Sequence, residues 1–124
     1  MRLARLHYKR GNPVKHYASF LTVSQQYDLT IACRPVAMLG YGTFHVGSSL
    51  TRPDYRDVDL RCMLPDDEYD RMFSGEGGAA FAKFLSVAIS EWMQARSGLP
   101  IDFQFQRATD ANKEFPGPRN GVVF

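Results

Sequence analysis

The sequence predicts a single α+β domain, and three observations carry that prediction. Residues 57–64 alternate apolar and polar side chains, residues 101–106 do so again, and residues 79–96 repeat apolar side chains at helical spacing. The chain has 124 residues, of which 44% are hydrophobic, enough for one compact core and too few for a second full domain. The expected organisation is one domain over residues 1–124, with a basic N-terminal segment at 1–15 and a loop-rich tail at 107–124.

Residues 16–33 place Tyr17, Phe20, Leu21 and Ser24 at helical spacing, which favours an amphipathic helix. Arg34-Pro35 is expected to end or bend it, because the residue before a proline is pushed out of the helical region. Thr43, Phe44, His45 and Val46 favour a strand running into Gly47. Ser48 can cap a short helix or turn, whose extent Pro53 limits. In the first alternating segment Val58, Leu60, Cys62 and Leu64 form the apolar face, and Asp57, Asp59, Arg61 and Met63 the other. Pro65 followed by three acidic residues is a helix-start signature, and a short helix through Phe73 is expected.

A Gly-rich loop at 74–78 precedes the long helix. Phe81, Phe84, Leu85, Ala88, Ile89 and Trp92 mark its expected core face, and Ser97-Gly98 its stop. Pro100 introduces the second alternating strand, with Ile101, Phe103 and Phe105 on one face and Asp102, Gln104 and Gln106 on the other. Residues 107–124 hold Pro116, Gly117, Pro118 and Gly121 and read as a loop or as an extended tail packed over the domain. The closing Val122-Val123-Phe124 is apolar enough to dock as an added strand.

Composition excludes several classes. A net charge of +2 does not mark a dedicated nucleic-acid binder. The basic charge is uneven, however: Arg2, Arg5, Lys9, Arg10 and Lys15 all precede Asp28, the first acidic residue. That segment is either a solvated terminus or a contact for a polyanion. Cys33 and Cys62 form neither a disulfide framework nor a metal pattern and are expected to be small core residues. No apolar run is long enough for a membrane helix, and no apolar segment follows the N-terminal basic residues as in a signal peptide. A cytoplasmic location with no membrane partner is therefore expected.

The chemistry-bearing residues fall into a combination. A strand delivers the chain to Gly47-Ser48-Ser49, where a glycine lets the backbone approach a phosphate and a helix start supplies N–H donors. The next strand sets Asp57 and Asp59 on one face, because residues two apart on a strand point the same way. Asp102 lies on the polar face of the later strand and can join them if the two strands are neighbours. Carboxylates beside a phosphate cradle suit Mg²⁺, with Mn²⁺ as the alternative, because these hard ions take oxygen ligands and substrate phosphates.

The stretch from Val46-Gly47-Ser48 through Asp57-Val58-Asp59-Leu60, together with Ile101-Asp102-Phe103, resembles the signature of the DNA polymerase beta-like nucleotidyltransferase superfamily. That signature is a hydrophobic residue, Gly and Ser, a spacer, then Asp, hydrophobic, Asp, hydrophobic, with a third carboxylate on a later strand. The resemblance covers roughly residues 43–106 and is closest to the minimal single-domain members. It implies a nucleotidyltransferase-like core, a mixed β-sheet with helices packed mainly on one face. It further implies Asp57, Asp59 and Asp102 as catalytic metal ligands, and Gly47, Ser48 and Ser49 as triphosphate binders. Arg52 and Arg61 join the substrate-binding set; many members carry Arg-Gly after the Gly-Ser, whereas here Pro53 follows Arg52.

The activity so implied is transfer of a nucleoside monophosphate from an NTP, ATP by default, to an acceptor hydroxyl. The acceptor is a small molecule, a protein side chain or an RNA end, toward which the basic N-terminus tilts the choice. The alternative is a catalytically weak or inactive binding module of the same fold, such as a toxin–antitoxin partner. A protein partner or a second copy is expected, since no helical domain follows the core. Arg56 is expected to meet a phosphate or Asp54, and His45 to be a satisfied core or edge histidine. Gln104 and Gln106 stand where they could contact substrate, and Lys113, Arg119 and Asn120 could fold over it.

Overall fold

The computed structural model describes residues 18–122. The basic N-terminal segment and the docking residues Val123 and Phe124 lie outside that range. Four helices and a four-stranded mixed sheet form an α+β fold, with α1 at Val23–Ala37, β1 at Thr43–Val46, β2 at Val58–Leu64, α2 at Asp66–Met72, α3 at Gly78–Ser97, β3 at Ile101–Arg107, α4 at Ala108–Glu114 and β4 at Asn120–Gly121. The strand order is β3-β2-β1-β4. β1 is antiparallel to both β2 and β4, and β2 is parallel to β3. A parallel pair needs a crossover, which α2 and α3 supply.

The helix α1 begins later and ends later than its periodicity suggests. Thr22 and Gln25 form a reciprocal capping box, Thr22 Oγ1 accepting from the Gln25 N–H at 3.1 Å and Gln25 Oε1 from the Thr22 N–H at 2.8 Å. Pro35 does not stop the helix, which runs on to Ala37. Ala32, Cys33 and Val36 are buried on the core side, so packing holds the last turn despite the missing N–H. The turn then tightens, with the N–H groups of Leu39 and Gly40 donating to the carbonyls of Val36 and Ala37.

The core lies between one face of the sheet and the layer formed by α1 and α3. Val58, Leu60, Cys62 and Leu64 meet Ile101, Phe103 and Phe105 there, with Leu29 and Met93 above them. Cys33 and Cys62 are fully buried in it, and burial pushes both thiols up to about 12. Of the face expected of α3, Leu85 and Ile89 pack against the core but the aromatic residues are not buried. Phe81, Phe84 and Trp92 are exposed, while Ala82, Ser90 and Met93 are buried. Apolar residues nearly encircle this helix, so periodicity alone does not choose a side. The smaller Ala82 and Ser90 allow close approach to β3.

Ser90 also closes the sheet edge. Its hydroxyl accepts from the Phe103 N–H at 2.8 Å and donates to the Phe103 carbonyl at 3.2 Å, and Gln94 donates to the Ile101 carbonyl at 2.9 Å. Ser90→Ala is expected to cost about 1–3 kcal/mol, because both groups of Phe103 lose their buried partner. Urea denaturation checks this, and an unchanged midpoint would refute it.

The tail is not merely loop. Residues 108–114 form α4, and Asp66 accepts from the Thr109 N–H at its first turn at 3.1 Å. A short strand forms on the outer edge of β1 at Asn120–Gly121, before the expected Val122–Phe124 segment. Among the described residues no helix is long and apolar enough to cross a membrane.

Candidate functional site

At the end of β1 the chain turns at Gly47, with φ 81° and ψ −158°. Only glycine adopts that region readily. Val46 pairs with Asp59 across the sheet, and the Gly47 backbone rests against the Asp59 side chain; a Cβ at Gly47 would collide with Asp59 Oδ2. The turn and the second aspartate of the motif therefore touch. Residues Ser48–Leu50 follow as one turn of 3-10 helix, whose first N–H groups have no partner within the turn. Gly47 is its cap, with no side-chain hydrogen bond, so Ser48 opens the turn and does not cap it. The Ser48 carbonyl accepts from the N–H groups of Thr51 and Arg52 at 2.9 and 2.7 Å.

Ser49 is placed differently from Ser48. It is fully buried, and its hydroxyl lies 2.5 Å from His45 Nε2. It braces the turn from beneath and does not offer its hydroxyl to a ligand. His45 is 1% exposed, a core histidine as its position suggested. Arg52 forks onto Asp54 at 2.9 and 3.0 Å, so Asp54 takes Arg52. Both side chains are well exposed.

Asp59 and Asp102 are direct partners in the parallel register of β2 and β3. Their side chains share one face of the sheet, 19% and 40% exposed. Arg61, two residues along the same strand face, is 4% exposed and stands beside both. Its Nη2 lies 3.9 Å from Asp59 Oδ1 and 3.5 Å from Asp102 Oδ2. Burial pushes the Asp59 carboxyl up to about 6; Arg61 opposes the rise, while Asp102 and Asp57 add to it.

Asp57 stands just before β2, is exposed, and contributes by its charge. The structure thus brings Asp59, Asp102, Arg61 and Gly47 together, with Asp57 at the margin. Among the described residues, no group of three or more His, Cys, Asp or Glu side chains is arranged to hold a metal ion.

The tail covers the site, through Phe115 and Arg119. After α4 the chain crosses the polar face of the sheet. The Phe115 ring lies 5.1 Å from the Arg61 guanidinium, and Arg119 reaches the Phe115 carbonyl at 3.1 Å and stacks on Phe44. Gln106 donates to Glu114 at 2.7 Å, and Gln104 lies 3.4 Å from Asp102 Oδ1. Lys113 points to solvent, and Asn120 is buried in β4. A missed signal for α4 was available, since residues 108–114 contain neither Gly nor Pro.

Beside β3, a groove of about 600 Å³ runs along α3; Asp102, Gln104, Lys83, Ser86 and Glu91 border it. No protein-family model, curated protein or solved structure matches the chain.

Proposed function

We propose that the chain is a metal-dependent nucleotidyltransferase of minimal size, moving a nucleoside monophosphate from an NTP to an acceptor hydroxyl with release of pyrophosphate. The observation that carries this reading is a single convergence: the Gly47 backbone lies on the Asp59 carboxylate, and Asp59 is paired in register with Asp102. A close-approach turn and two carboxylates from different strands then face one ligand. The donor set is hard oxygen, which fits Mg²⁺ or Mn²⁺, and burial raises the Asp59 carboxyl even with Arg61 beside it. Asp59 and Asp102 would hold the ion, and Asp57 joins them if the preceding loop turns inward. When bound, the ion supplies charge neutralisation at the triphosphate.

The chain's own residues do the rest. The N–H groups of Gly47, Ser48 and Ser49 bind phosphate oxygens, and the Ser48 hydroxyl adds a donor. Arg52 reaches phosphate by exchanging Asp54 for it, a small change because that pair is exposed. The acceptor hydroxyl, approaching from the α3 groove, gives its proton to Asp102 as its oxygen bonds to the α-phosphorus and the bond to pyrophosphate breaks. ATP is the default donor, and the acceptor is a hydroxyl of a small molecule, a protein or an RNA end.

The test is label transfer from α-labelled NTPs with Mg²⁺ or Mn²⁺, supplied with RNA and cell extract, beside an Asp57→Asn/Asp59→Asn control. Transfer that the control abolishes is the expected result. Absence of any metal-dependent NTP binding would remove the site assignment. A second reading, a binding module that no longer transfers, is favoured by Arg61, which already supplies a cation beside both carboxylates. Tight NTP binding without transfer to any acceptor would select it.

A further inference from the structure

We propose that Arg61 is the resident counter-cation of the Asp59–Asp102 pair, keeping bare divalent metal out until a polyphosphate arrives to take its open edge. This rests on the reading of the site as a metal- and polyphosphate-binding one.

Arg61 Nη1 is committed to the backbone, donating to the carbonyls of Leu60 and Asp102 at 3.0 and 2.9 Å. Those bonds fix the guanidinium plane. The opposite edge, Nε with Nη2, is different. Arg52 and Arg107 use that same edge to grip a carboxylate with two short bonds, at 3.0 and 2.9 Å onto Asp54 and at 3.0 and 3.2 Å onto Asp70. In Arg61 the Nη2 contacts are stretched to 3.5 and 3.9 Å, and the buried Nε has no hydrogen-bond partner among the described residues.

A charged donor pair that is buried, held in plane and left open suits a tetrahedral oxyanion, because the two parallel N–H groups match two oxygens of one phosphate. Phe115 covers the guanidinium face, and Asp102, which borders the groove along α3, is the more exposed neighbour of the unpaired edge. Until that anion binds, the guanidinium's field acts on both carboxylates and repels a second cation. Once phosphate engages Nε and Nη2, the carboxylates lose their counter-charge and accept a divalent ion, which the same phosphate also ligates. Metal and polyphosphate then raise each other's affinity by an equal factor.

The experiment measures Mn²⁺ binding by electron paramagnetic resonance in the whole chain, with and without tripolyphosphate. The expected result is that Arg61→Met binds bare Mn²⁺ at least tenfold more tightly than wild type and gains less from tripolyphosphate. Equal or weaker binding of bare Mn²⁺ by Arg61→Met would overturn the proposal. An Asp59→Asn variant that binds Mn²⁺ as wild type does would overturn the metal-site reading itself, and the proposal with it. A wild-type measurement stands beside these in case Arg61→Met does not fold. In the arginine ¹⁵N spectrum, the Arg61 Nε–H resonance, assigned by its loss in Arg61→Lys, shifts when Mg²⁺ and tripolyphosphate are added together. A resonance that does not move would refute the role of the open edge.

Discussion

Asp59→Asn is expected to make the protein more stable at pH 8 while removing nucleotide transfer. Asp59 is largely buried, and its desolvation sets the direction: the charged form is disfavoured in the fold, so its pKa rises to about 6. Against an unfolded value of about 3.9, the native state binds the proton more tightly. Stability from this group is therefore fully present below about pH 4, declines as pH rises toward 6, and is gone above that. A shift of about two units corresponds to about 3 kcal/mol, which solvent screening at a partly exposed carboxylate reduces to about 1–2 kcal/mol.

Asn keeps the shape and never charges. Its advantage over Asp should be about 1–2 kcal/mol at pH 8 and vanish near pH 4. Arg61 does not lose its counter-charge in this variant, since Asp102 stays within 3.5 Å. Urea denaturation of both proteins at the two pH values is the check. A variant less stable than wild type at pH 8 would show that the Arg61 attraction outweighs the desolvation. Transfer activity should fall on the order of 10²–10³-fold or more, because a lost charge-stabilising group acts on the transition state. Stability gained where activity is lost is the pattern of a functional site.

The strands and helices that alternate or repeat cleanly were legible in the sequence. β2, β3, α2 and α3 stand within a residue or two of their expected limits, since each pattern is local. The pairing of Asp59 with Asp102 was only conditionally legible. It depends on a parallel register that pairs residues 43 positions apart in sequence, and no periodicity encodes a register. Arg61 was read on the polar face, which is correct, but its burial comes from Phe115 and the segment after α4. That cover is a tertiary contact made by a stretch that read as a loop or as an extended tail packed over the domain, with no particular residue assigned to Arg61. The outward aromatic residues of α3 are a related case, because a helix apolar on nearly every side leaves packing to choose its face. Ser49 shows the limit within a motif: once the turn is formed Ser49 is buried while the adjacent Ser48 is only half-buried.

Gly47→Ala is expected to damage the fold and the site together. At φ 81° and ψ −158° the backbone is in a region essentially reserved for glycine, and a side chain there costs about 1–3 kcal/mol in strain. The added methyl also meets the Asp59 carboxyl group, with Asp59 Cγ at 3.1 Å and Cβ at 3.3 Å, and overpacking of this kind adds about 1–3 kcal/mol. The total is about 2–6 kcal/mol, a large fraction of the stability of a small domain. Even a folded Gly47→Ala protein must swing the Asp59 carboxylate off the turn, so metal-dependent NTP binding should be lost. A double-mutant cycle separates the two contributions. In an Asp59→Ala background the carboxylate is gone but the backbone strain remains. Gly47→Ala should therefore cost at least about 1 kcal/mol less there than in wild type, since contacting residues couple by about 0.5–3 kcal/mol. An equal cost in both backgrounds would mean that the turn relaxes away from Asp59, and that Gly47 serves the backbone alone and not the carboxylate beneath it.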